Sequence, residues 1–226
     1  MFLPSAAFQL GRYDMFVRYR TAQPRDRVGG DWYDARLEAD GSTVVVIGDV
    51  AGHGIQAAAS MMRIGGALRG LAVTGLSANC QIACLNKLVY SDECPERVAS
   101  VIVGVLDQGC PALRWAQAGH PPPLLVSGGT ARFLDRPPGL LLGAVPDAEY
   151  GLGHEELAPG DILFLYTDGL IERRGLSLQD GFSALRAAAQ GITGETARTA
   201  TAALCSRLNL PPTDDDTCLV TVRVSG

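Results

Sequence analysis

A chain of 226 residues with 47% hydrophobic content and a mean hydropathy of +0.13 can bury a sizeable core, and its length favours one domain. A net charge of −5 at pH 7 and the lack of any Lys/Arg-rich run, Lys87 being the only lysine, exclude the footprint of a nucleic-acid binder. No apolar run approaches the ~20 residues of a spanning helix and no charged-then-apolar leader opens the sequence, so a soluble, cytoplasmic protein without membrane insertion is expected.

Tyr13, Met15, Val17 and Tyr19 alternate with Asp14, Arg18 and Arg20, the period of a half-buried strand. Thr43 to Ile47 is a β-branched run, read as a fully buried strand, that ends at Gly48-Asp49. The period then changes. From Gln56 to Ala72, residues Met61, Ile64, Leu68 and Leu71 share one helical face, with Gly65 and Gly66 permitting close packing. A second helix is predicted from Ser77, as N-cap, to Val89.

Val98 to Leu106 and Leu113 to Gln117 read as neighbouring strands across a turn-rich link at 107–111. Short strands are predicted at Leu124 to Val126, Ala131 to Leu134, Tyr150 to Leu157 and Ile162 to Tyr166. Ala197, Ala200, Leu204 and Leu208 mark a helix over Thr196 to Leu208, and Thr217 to Val224 alternates as a last strand. Many strands with helices grouped in pairs predict an α+β fold of stacked antiparallel sheets covered by helices. The six cysteines lack CxxC spacing and a paired histidine pattern, so buried, reduced thiols are expected rather than a zinc site.

Four acidic clusters terminate or precede these apolar runs: Gly30-Asp31, Gly48-Asp49, Thr167-Asp168-Gly169 and Asp214-Asp215-Asp216-Thr217. Hard divalent cations take oxygen ligands, and carboxylates at strand ends can converge from distant positions onto one rigid centre. Asp49 is delivered by a rigid strand and can bridge two cations, while Gly52 and Gly54 free the following backbone to bend. Asp168 has the same construction. In the Asp triplet, unit charges 4 Å apart repel by about 4 kcal/mol at an effective dielectric near 20, so it is either solvated or neutralised by a cation. Asp214 is assigned to metal and Asp216 to solvent; Asp31 is the better ligand of its segment, with Asp34 capping or turning the chain.

Nucleotide fingerprints are absent, since Gly48, Gly52 and Gly54 do not match GxGxxG and no GxxxxGK[ST] occurs. His53 and His120 flank glycine turns, and either can donate a proton to a leaving group, with a structural hydrogen-bonding role as the alternative.

Taken in order, GGDWYD (29–34), GDVAGHG (48–54), AGHPPPLL (118–125), YTDGLIE (166–172) and DDDT (214–217) resemble the SpoIIE-like branch of the type 2C metal-dependent serine/threonine phosphatases, over nearly the whole chain. The resemblance implies a single catalytic domain, two stacked antiparallel β-sheets flanked by helices on both sides (an αββα sandwich), with two Mn²⁺ or Mg²⁺ ions at one end. Asp49 would bridge the ions, the Val50 carbonyl and Asp31 would serve one side, and Asp168 and Asp214 the other, with Asp215 as a further carboxylate of the DDxT motif. His120 falls near an additional metal motif of related enzymes. Arg27, four residues before Asp31, matches the place of a phosphate-holding arginine. The implied reaction is in-line attack of metal-activated water on phosphoserine or phosphothreonine without a phosphoenzyme.

The implied partner is a phosphorylated bacterial regulatory protein, commonly an anti-sigma-factor antagonist in stress or developmental signalling. Members of the branch often end a longer sensor protein, so an excised domain under sensor or partner control is expected, and the helix after Gly54 offers a homodimer surface. The rival of another class is a catalytically silent module that binds metal or a phosphorylated partner, which usually needs a lost ligand. A two-metal nuclease is disfavoured by the acidic chain.

Overall fold

The computed structural model describes residues 5–21, 29–52, 54–91, 98–172, 175, 177–194, 196–209 and 215–226. Among the described residues eleven strands and four α-helices follow in chain order: β1 (Ala6–Leu10), β2 (Tyr13–Arg20), β3 (Trp32–Leu37), β4 (Thr43–Val50), α1 (Ile55–Ala72), α2 (Ala78–Tyr90), β5 (Ala99–Leu106) and β6 (Ala112–Ala118) come first. There follow β7 (Leu124–Ser127), β8 (Thr130–Phe133), β9 (Gly153–Glu156), β10 (Ile162–Tyr166), α3 (Leu178–Ala189), α4 (Ala197–Leu208) and β11 (Thr217–Val224).

The strands form two antiparallel sheets, ordered β1-β2-β11-β10-β7-β8 and β3-β4-β5-β6-β9. Three apolar layers hold the sandwich. Tyr13, Met15, Val45, Ile47, Trp115, Leu165, Val220 and Val222 fill the space between the sheets. The outer face of the five-stranded sheet buries Val44, Val46 and Val103 against Met61, Ile64 and Leu68 of α1 and Ile82 and Leu85 of α2. Phe164, Tyr166 and Leu219 of the other sheet pack against Leu185 of α3 and Leu204 of α4. The fold is therefore the αββα sandwich expected.

The β4 run shows why its sequence lacks polar alternation. Side chains alternate across a strand, so Val45 and Ile47 enter the inter-sheet core while Val44 and Val46 enter the helical layer. Both faces are dry.

Elsewhere the sequence pattern falls short. β1 and β3 are edge strands in which nearly every residue is only partly buried or exposed, and neither was predicted as a strand. The helix α3 was also unforeseen, and Gly181 stands near its start. A Cβ at Gly181 would stand 2.2 Å from the Ile171 carbonyl oxygen, so the helix needs this glycine to reach its neighbour. The signal that marks α3 is the capping box of Ser177 and Asp180. Ser77 does take the N-cap position of α2, but its side chain bonds Asn79 rather than a helix N–H. β9 is shorter than predicted, since Gly151 N–H donates to the Pro138 carbonyl and turns the chain away beforehand. Among the described residues burial of the thiols holds for Cys205 and Cys218, whereas Cys80, Cys84 and Cys110 are exposed; these five are free, and Cys94 lies outside the described residues. Among the described residues no helix is long and apolar enough to cross a membrane.

Candidate metal centre

β4 carries Asp49 one residue before its end, and its partner β3 begins one residue after Asp31, with Trp32 paired to Gly48. On the other sheet, β10 ends at Tyr166, so Thr167-Asp168 project beyond it, while Asp215 and Asp216 lead into β11. The register pairs Tyr166 with Leu219, which sets these two chain segments side by side. Two hairpin-like pairings thus deliver acidic residues from four parts of the sequence to one end of the sandwich.

Glycines make the approach close enough. A Cβ on Gly30 would lie 2.2 Å from the Val50 carbonyl oxygen and 2.9 Å from Asp49 Oδ1. On Gly29 it would meet Asp216 Oδ2 at 1.5 Å, and on Gly169 the Asp216 carbonyl oxygen at 2.0 Å. Any side chain at these positions would fill the space between the acidic groups.

Asp31 is only 3% exposed, and its Oδ2 accepts a 2.7 Å hydrogen bond from Thr167 Oγ1. Thr167 Oγ1 in turn accepts from Cys218 N–H at 2.9 Å, which ties the orientation of Asp31 to the β10–β11 pair. The Asp31 and Asp49 carboxyls act on one another's ionisation. Burial, followed by the charges of Asp168 and Asp215, pushes Asp49 up to about 7. Burial and then Asp49 raise Asp31 well above the usual carboxylate range, and burial and then Glu172 raise Asp168. Tyr19 donates to the Asp31 carbonyl at 3.2 Å, and burial followed by the Asp216 and Asp31 charges raises its phenol.

No ion pair among the described residues involves Asp31, Asp49 or Asp168. Crowded carboxylates not paired with a cation are stabilised by protons or by a metal ion. The donor set, carboxylates with the Val50 carbonyl beside them, is all hard oxygen and fits Mg²⁺ or Mn²⁺ rather than zinc or copper. Among the described residues no three acidic, histidine or cysteine side chains close on one point as a finished cage, so the acidic groups act on one another through charge.

Of the residues singled out from sequence, Asp31, Asp49, Val50, Asp168 and Asp215 gather at this end. Arg27, His53 and Asp214 lie outside the described residues. His120 stands apart from the chemistry expected of it. The ring is fully buried, Nε2 faces the Tyr166 carbonyl at 3.1 Å, and Nδ1 faces Ser100 Oγ at 2.7 Å. A carbonyl can only accept, so Nε2 carries the proton and Nδ1 accepts from Ser100. Burial lowers the ring to about 3, leaving it neutral. Both nitrogens are engaged, and the ring ties the end of β6 to the end of β10; this geometry positions the strand leading to Asp168 and presents no proton to a leaving group.

Asp216 is also not the solvated residue expected: it is half-buried, packs between Gly29 and Gly169, and its charge acts on Asp31 and Asp49. Asp34 sits in β3 and pairs with Arg36 and Arg69. Thr167 was missed, although its place directly before an acidic strand-end residue was a usable signal. A cavity of about 320 Å³ opens beside the carboxylates, lined in part by Asp49, Ser100, Asp168, Glu172 and Arg136.

A two-sheet sandwich with paired helices outside and carboxylates gathered at one end is the architecture of type 2C phosphatase domains. It superposes on the PP2C phosphatase domain of SpoIIE from Bacillus subtilis with a TM-score of 0.80 at 17% identity, over 98% of this chain and 64% of that one. The profile of Stage II sporulation protein E (SpoIIE) matches residues 39–225, and the chain belongs to that family. It is 29% identical over 152 residues to the phosphoserine phosphatase RsbU of Bacillus subtilis, covering 67% of this chain and 45% of the relative. The crystal structure of the RsbU and RsbW domains of a Mycobacterium tuberculosis protein matches with a TM-score of 0.81 and 30% identity, over 94% of this chain and 60% of that one. The chain thus spans less than half the length of the curated relatives it matches.

Proposed function

We propose that this protein is a metal-dependent phosphatase that hydrolyses phosphoserine or phosphothreonine on a bacterial regulatory protein. The observation that carries the reading is the gathering of the buried Asp31 and the half-buried Asp49, each raised by burial and by the other carboxylates, with Asp168 at the edge of a cavity and no ion pair to any of the three among the described residues. Such an arrangement costs folding stability, and a divalent ion would offset that cost.

Asp49, Asp31, the Val50 carbonyl, Asp168, Asp214 and Asp215 would hold the ions. Two Mn²⁺ or Mg²⁺ ions bound there would supply Lewis acidity, lowering the pKa of a water and neutralising charge on the phosphoryl group. The chain's own contribution is orientation. Thr167 fixes Asp31, His120 fixes the strand end before Asp168, and Gly30 keeps the Val50 carbonyl exposed to the site. Likeness to a phosphoserine phosphatase supports a phosphoserine substrate; in this reading it is carried by a regulatory protein, such as a phosphorylated anti-sigma-factor antagonist in the cytoplasm. In this reading the chain is one catalytic domain, excised from or joined to a sensor that controls it, with α1 as a homodimer surface; Arg27 would hold phosphate and His53 would donate a proton to the leaving group, both being outside the described residues.

The test is phosphate release from a phosphoserine peptide with Mn²⁺ or Mg²⁺, against chelator, for the intact chain and Asp49→Ala. Release that needs metal and drops about 10²- to 10³-fold or more in the variant, with its circular dichroism unchanged, supports the reading. Metal binding without turnover in every condition would favour the silent module instead.

A further inference from the structure

The cavity beside the acidic cluster has an electrostatic problem. Asp49, Asp168 and Glu172 all line it, and a phosphomonoester dianion entering there meets three carboxylates. One basic side chain, Arg136, belongs to the same lining.

Arg136 lies between β8 and β9, just before Pro137-Pro138, and its backbone is held on its C-terminal side. Gln117 Nε2 donates to the Pro137 carbonyl at 2.8 Å, while Gln117 Oε1 accepts from the His120 backbone N–H at 3.0 Å. Gly151 N–H donates to the Pro138 carbonyl at 2.8 Å, and the two prolines fix φ. Arg136 therefore extends from a pinned segment beside the buried His120, which is neutral. Its charge reaches both His120 and Tyr166, at the strand end that leads to Asp168.

The side chain is exposed, and among the described residues it makes no hydrogen bond or ion pair. Other arginines behave differently: Arg36, Arg69, Arg114 and Arg132 each bind a carboxylate. A guanidinium that shares a cavity with three carboxylates yet pairs with none has its donors available to an incoming anion. Its planar fork matches two oxygens of a phosphate.

We propose that Arg136 is a substrate-binding residue of this site, its guanidinium donating hydrogen bonds to the non-bridging oxygens of the phosphomonoester while the acidic cluster holds the metal on the other flank. The assignment rests on the phosphatase reading of the cavity and adds a phosphate contact that the sequence motifs do not contain.

The experiment compares the intact chain, Arg136→Ala and Arg136→Lys. Steady-state kinetics with p-nitrophenyl phosphate and a phosphoserine peptide in Mn²⁺ are paired with calorimetric titration of inorganic phosphate in Mg²⁺. The expected result is a KM raised about tenfold to a hundredfold for both substrates in Arg136→Ala, with a smaller change in kcat, a matching loss of phosphate affinity, and partial recovery in Arg136→Lys. Unchanged KM for p-nitrophenyl phosphate with unchanged phosphate affinity overturns the assignment. So does a defect confined to the peptide, which would place Arg136 against the polypeptide. Should the intact chain hydrolyse neither substrate, the phosphatase reading fails, and the phosphate titration still decides: binding weakened by Arg136→Ala supports the contact, and equal or absent binding in both proteins overturns it.

Discussion

Aspartates occur in this fold in two kinds of surroundings. Away from the cavity several meet a donor: Asp161, 4% exposed, accepts the Ala158 N–H at 2.9 Å, Asp14 accepts the Ala197 N–H at the start of α4 at 2.6 Å, and Asp180 completes a capping box. Asp34 pairs with two arginines. At the acidic end Asp31 and Asp49 meet one another, with Asp168 and Asp215 behind them. Carboxylates of the first kind stabilise the chain, whereas those of the second destabilise it until a cation arrives. Local conflict of that sort is characteristic of functional sites.

The largest effect is expected where the second kind is neutralised. Asp49 has a folded pKa of about 7 against an unfolded value near 3.9, so between these values the folded state binds more protons than the unfolded one. The stabilisation is full below about pH 4 and is lost as pH rises through about 7, a loss of up to about 4 kcal/mol for the metal-free protein. Asp49→Asn removes most of this slope, so urea midpoints in chelator should diverge between the two proteins from pH 5 to pH 8 and converge at low pH. Parallel slopes would mean that the pair is not strained.

Asp161→Ala tests the other kind. It leaves the Ala158 N–H without its partner and should cost about 1–3 kcal/mol in denaturant unfolding while metal-dependent turnover by the folded protein is unchanged. Thr167→Val lies between the two kinds, because Thr167 serves Asp31 and the Cys218 N–H together. Its expected cost is about 1–2 kcal/mol, with weaker metal affinity by titration, and Thr167→Ser should recover both. Full activity and affinity in the valine variant would show that Asp31 needs no positioning. The smallest effect belongs to Asp34→Asn, where the Arg69 partner is 64% exposed. A shift of about 0.2–1 kcal/mol, shrinking with added salt, is expected in thermal unfolding, and a larger one would move Asp34 out of the structural group.

Much of the fold was legible because each pattern had a local cause. β2, β10 and β11 begin and end where periodicity placed them, and α1 and α4 start within one residue of the predicted positions. The edge strands β1 and β3 and the glycine-bearing α3 were not, since partial burial and one close contact leave little periodic trace. At the candidate site, Asp31, Asp49 and Asp168 were legible from acidic residues at the ends of apolar runs.

The sequence by itself determined the strands, the paired helices and the placing of carboxylates at strand ends, because these follow from side-chain period and from residues adjacent in the chain. Only the tertiary structure decided which of those groups meet. Sheet register joins Asp31 to Thr167 across 136 residues, buries His120 against Tyr166, packs Asp216 between two glycines, and sets Arg136 in the cavity with Asp49. Charge interactions and desolvation depend on distances through space, which residue order does not encode locally.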